Sequence, residues 1–141
     1  MRRTKTILLA QILGLELGRE IWHGVLDYSR DQKDWDVEAV EANEALSGIL
    51  ERNWRSFDGL IVTGGPLTDE VLRRGVSVPT VVTHWLPDYE IDQVDIDPES
   101  VGETVADFFL RTIPSRFATV RVSHLEPHRK RAESFERRMR K

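Results

Sequence analysis

Cysteine is absent from the 141-residue chain, which removes disulfide frameworks, thiol nucleophiles and thiolate metal sites together. Long apolar runs are absent as well. The longest falls far short of a membrane span. Met1-Arg2-Arg3 leads into Ile7-Leu8-Leu9-Ala10, too short for the apolar core of a secretory leader. A cytoplasmic location and no membrane partner are the expectations. Phosphate loops are missing too. Gly14-Leu15-Glu16-Leu17-Gly18 lacks the third glycine of a dinucleotide fingerprint and the Gly-Lys-Ser/Thr of a P-loop, and Glu16 would repel a pyrophosphate. None of the serines stands in a Gly-x-Ser-x-Gly turn. His124-Leu125-Glu126-Pro127-His128 invites a metal reading, but a strand end followed by proline does not bring three side chains together, and no second ligand cluster accompanies it. A phosphorelay receiver needs an acidic cluster after its first strand and an aspartate ending its third. Here only Glu16 follows the first, and Asp58 opens the third. The expectation is therefore a non-enzyme with no catalytic residues, metal or cofactor.

What is present is an ordinary globular composition, 40% hydrophobic and 31% charged, with room for one domain and a real core. The net charge of −4 conceals an asymmetry: His128 to Lys141 holds seven Lys and Arg against two Glu. Such a segment can touch nucleic acid, but it is more often a solvated helix face, and only Phe135 interleaves the charges.

The chain is organised around Phe57-Asp58-Gly59-Leu60-Ile61-Val62-Thr63-Gly64-Gly65. Its unbroken Leu-Ile-Val run between a turn and two glycines predicts a strand buried on both faces, at the centre of a parallel sheet. Around it, apolar runs and helical patterns alternate. Strands are expected at Thr6–Ile12, Asp36–Val40 (near an edge), Pro79–Thr83, Gln93–Asp97 and Arg116–Ser123. Helices are expected at about Arg19–Gln32, Glu44–Trp54, Thr68–Arg74 (Thr68 as N-cap, Gly75 as stop), from Pro98 onward, and Pro127–Lys141. Gly24 inside the first helix suggests close packing on the sheet. Val101, Val105, Phe108 and Phe109 form the inward face of the fourth. The result is an α/β class, a three-layer, doubly wound parallel sheet. Ligands in such sheets bind outside the carboxyl ends of the strands.

Several residues at those ends suit a small polar ligand. Trp85 can stack on a sugar ring or plug a loop against the core. Asp95 and Asp97 alternate about Ile96, so at most one faces a given cleft, and Asp97 before Pro98 suits a helix cap better than a ligand contact. Arg131, in the first turn of the last helix, carries five donors on a planar fork. Thr63-Gly64-Gly65-Pro66 is first a tight turn, with backbone contact to a ligand as the lesser alternative.

The order of elements, Phe57-Asp58-Gly59-Leu60-Ile61-Val62, the segment Val94-Asp95-Ile96-Asp97-Pro98-Glu99-Ser100-Val101-Gly102, and Arg131-Ala132-Glu133-Ser134-Phe135 together resemble the ligand-binding domain of lactose-repressor-type regulators, which have the type I periplasmic-binding-protein fold. The resemblance spans nearly the whole chain as the N-terminal lobe alone, and within the group it is closest to xylose-operon-type regulators. It implies an effector-sensing lobe, 1–141, of a homodimeric transcription regulator. Its second lobe and DNA-binding module are then missing from what would be a fragment. The implied ligand is a pentose or related sugar, held by Leu15, Glu16, Gly65, His84, Trp85, Asp97 and Arg131. Ser134 stands where the family usually has glycine, and 111–116 lacks its glycine-histidine pair. Two rivals compete: a flavodoxin-like α/β enzyme or nucleotide-binding domain, and a structural dimerisation domain that binds no small ligand.

Overall fold

The computed structural model describes residues 3–42, 48, 54–73, 77–83, 90–112, 118–120 and 125–140. They fall into two compact units, 1–95 and 96–141. In the first, β1 (Lys5–Gln11), β2 (Trp35–Glu41), β3 (Gly59–Val62), β4 (Thr80–Val82) and β5 (Asp92–Gln93) form a parallel sheet in the order β2-β1-β3-β4-β5. Helices α1 (Glu16–Asp31) and α2 (Pro66–Arg73) and a 3-10 turn at Trp54–Ser56 connect them. The class is α/β, and β2 is the edge strand its weak apolar content predicted.

Hydrophobic runs explain the centre. Ile7, Leu8, Leu9 and Ala10 are buried from both sides, as a parallel inner strand requires. Leu8, Ala10, Leu60, Val62 and Val82 share one face and close a core with Phe57 and Leu72. Asp58 fixes the opposite, amino-terminal edge. Its Oδ2 accepts the Thr6 amide at 3.0 Å, and its Oδ1 accepts Arg3 Nη2 at 3.0 Å. The aspartate that opens β3 therefore ties β1 into register beside it.

The second unit packs α3 (Pro98–Thr112) closely against α4 (Glu126–Met139). Gly102 is buried where a Cβ would overlap the Ser134 hydroxyl and the Arg131 carbonyl. Ser134 itself is fully buried and donates to the Arg131 carbonyl at 3.0 Å. Phe109 and Phe135 meet edge to face, with centroids 6.1 Å apart.

Several expectations change. Helix α1 begins at Glu16, so the loop after β1 is shorter than Leu13–Gly18, and Gly18 lies inside the helix. Gly24 is exposed, with open space where a Cβ would stand, so close packing does not explain it. Gly18 is the close approach: a Cβ there would overlap the Ile12 carbonyl. Thr68 does not cap α2. It sits within the helix and donates its hydroxyl to the Thr63 carbonyl. Strand β5 has two residues, because the chain has left the ladder before Asp95, and strand alternation therefore does not govern Asp95 and Asp97. On α3 the side facing α4 carries Gly102, Ala106 and Phe109, whereas Val105 and Phe108 are exposed. Residues 118–120 form no strand. The helix expected at Glu44–Trp54 lies almost wholly outside the described residues, as does Gly75.

Candidate functional site

The strand order reverses direction between β1 and β3, and their carboxyl ends lie side by side. That switch point is where parallel α/β sheets leave a crevice for ligands. Leu15 and Glu16 stand there, exposed, at the start of α1. A turn from the Leu15 amide to the Ile12 carbonyl (3.2 Å) and an Arg19 donation to the Leu13 carbonyl (2.8 Å) hold the loop. Gly65 follows β3 with φ of 149°, a conformation that glycine adopts without strain. Its carbonyl accepts the Asp69 amide at 2.9 Å and so begins α2.

Gln11, the last residue of β1, was not singled out from the sequence. It is 1% exposed; its Oε1 accepts the Thr83 hydroxyl at 3.0 Å, which ties β1 to the end of β4. Its Nε2 is buried with no hydrogen-bond partner among the described residues. The available signal was one polar side chain closing an unbroken apolar run.

In the second unit, Asp97 caps α3. Its Oδ1 accepts the Glu99 amide at 3.0 Å, and its carbonyl accepts the Val101 amide at 3.2 Å. The cap reading therefore holds. Arg131 borders a pocket of about 340 Å³. Val101, Val105 and Phe109 of α3, His128 and Phe135 of α4, and residues 118–120 complete most of its wall. Asp97 is not part of that wall. The half-buried Arg131 has its Nε shielded from solvent and without a partner among the described residues.

The rest of α4 is different. Arg129 pairs with Glu133 at 3.0 Å, Lys130 with Glu126 at 3.1 Å, and Arg140 with Glu136 at 3.8 Å. Across to α3, Arg137 meets Glu99 at 3.0 Å and Glu103 at 3.3 Å, and Arg138 meets Asp107 at 2.6 Å. The hydrogen bond from Arg138 lowers the Asp107 carboxyl below its ordinary value; desolvation opposes it, and the charges of Arg138 and then Arg111 add to the lowering. Both Arg137 and Arg138 are raised, chiefly by the hydrogen bonds they donate to these carboxylates. The basic segment is thus a locally neutralised helix pair, which weakens its case as a nucleic-acid contact. Of the expected residues, Leu15, Glu16 and Gly65 gather at one edge of the first unit. Asp97 and Arg131 belong to the second, and His84 and Trp85 lie outside the described residues.

No family model and no curated protein matches the chain. Solved structures do. An ABC-transporter solute-binding protein from Burkholderia multivorans, holding an unknown ligand assigned as alpha-D-erythrofuranose, matches with a TM-score of 0.71 and 15% identity over 99% of this chain and 57% of that one. A transcription regulator from Lactobacillus plantarum matches at 0.71 and 16% identity over 96% of this chain and 50% of the other. A LacI family transcriptional regulator from Mycobacterium smegmatis matches at 0.66 and 16% identity, covering 96% and 51%. The chain spans about half the length of each. These likenesses show the fold, one lobe of the type I periplasmic-binding-protein type. The strand order alone does not separate it from a flavodoxin-like sheet, which shares it. No helix among the described residues is long and apolar enough to cross a membrane.

Proposed function

We propose that this chain is one lobe of a sugar-sensing domain in a cytoplasmic, homodimeric transcription regulator, of the kind that controls pentose operons. The observation that carries the reading is Arg131: a guanidinium whose buried Nε has no partner among the described residues, beside a pocket of sugar size. Aliphatic and aromatic walls suit the apolar faces of a sugar ring, and a planar fork of donors suits its oxygens. The fold shared with two regulators and a solute-binding protein supports the same reading.

The mechanism is binding energy rather than bond chemistry. A sugar that contacts this lobe and a second one outside these residues favours the closed arrangement by its differential affinity for it. Closure then reorients DNA-binding modules, also outside these residues, across the dimer. Calorimetric titration with D-xylose, D-ribose and L-arabinose tests the reading. Saturable binding of a pentose, weakened by about tenfold or more in Arg131→Ala, is expected for a lost charge-assisted hydrogen bond. Unchanged affinity in the variant would remove Arg131 from the site.

A transport receptor is the second reading, favoured by the likeness to the Burkholderia multivorans protein. The two separate on DNA: a regulator's operator affinity changes when the pentose is added, and a receptor has none to change.

A further inference from the structure

We infer that the preferred ligand of the Arg131 pocket is an anion: a sugar derivative bearing a carboxylate or phosphate, bound more tightly than a neutral pentose. The inference rests on the sensing role proposed above and narrows its ligand class. Its basis is a contrast along one helix. Arg129, Lys130, Arg137, Arg138 and Arg140 each have a carboxylate within ion-pair distance. Among the described residues Arg131 has none, and it is the one of these cations that lines the pocket.

Among the described residues the pocket wall contains no aspartate or glutamate, and its other ionisable side chain is His128. A guanidinium whose Nε is withdrawn from water, with no compensating charge beside it among the described residues, is held at a cost in free energy. In a chain with 24 acidic residues, a counter-ion was easy to supply, and the five other described Lys and Arg of 126–140 each have one. The missing negative charge is therefore the ligand's to bring. A planar oxyanion accepts two parallel bonds from such a fork, which a sugar hydroxyl does not.

The test compares D-xylose, D-xylonate and D-xylose 5-phosphate against the full chain by calorimetry. At least one anion is expected to bind about tenfold or more tightly than D-xylose. That advantage should shrink when NaCl is raised from about 50 to about 500 mM. It should vanish in Arg131→Gln, persist in part in Arg131→Lys, and survive in the control Arg129→Gln. Xylonate preferred over the phosphate assigns a carboxylate, and the reverse a phosphate. Melting curves of each variant report whether it is folded, and Arg131→Lys keeps the charge if the glutamine variant is not. D-Xylose binding as tightly as both anions, in an Arg131-dependent way, overturns the anionic ligand and leaves the sensing role standing. An anion preference that survives in Arg131→Gln overturns the assignment to Arg131. Binding of none of the three overturns the inference together with the reading beneath it.

Discussion

Asp107 and Arg131 show two fates for a charge in the same helix pair. Asp107 is met by Arg138 at 2.6 Å, and its carboxyl is lowered by that hydrogen bond. A carboxyl lowered in the folded state stabilises it fully above the unfolded value, about 3.8, and the contribution is lost as pH falls through the lower folded value. Asp107→Asn should therefore lower the melting temperature slightly at about pH 6, and the gap from the parent should close as the pH drops below about 3.8. Melting curves across that range check it; a gap that widens on acidification would contradict the assigned sign. Arg131 has no such partner among the described residues, and that difference, not its presence in a basic run, marks it. From the sequence, it was one of seven cations in fourteen positions.

Glycines sort the helices by what a methyl group would meet. Gly24→Ala on α1 enters open space, so the propensity gain of about 1 kcal/mol should appear as added stability. Gly18→Ala and Gly102→Ala meet backbone carbonyls that cannot swing aside, so each should destabilise by about 1–3 kcal/mol as an overpacked contact. Chemical denaturation of the three variants gives the signs directly. Sequence patterning assigned close packing to Gly24 and left Gly18 in a loop, since a helical wheel shows which side a residue is on and not how near the next backbone runs. The strands were more legible. An unbroken apolar run such as Leu60-Ile61-Val62 has one stable place in a parallel sheet, and the edge character of β2 showed in its alternating Glu38. Less legible were the ends. The amide turn at Leu15 lets α1 start at Glu16, and Thr68 bonds backward to Thr63 instead of capping; neither local hydrogen bond leaves a trace in periodicity.

At the scale of the molecule, a five-stranded parallel sheet with its switch point between β1 and β3 accounts for where the first unit presents its loops. The α3–α4 pair accounts for how the second presents a pocket. The candidate site was legible in part: the chemistry of Arg131 could be read, whereas the pocket beside it and the buried Gln11–Thr83 bond required coordinates. The central claim is that Arg131 Nε meets a ligand in that pocket. Its N–H gives a resonance of its own in a proton–nitrogen correlation spectrum, so titration with D-xylose and then D-xylonate reports on it without mutation. The account predicts that this resonance shifts saturably, together with the amides of Val101 to Val105 and His128 to Phe135. An Arg131 Nε–H signal unmoved by either sugar, while others shift elsewhere in the chain, would contradict it.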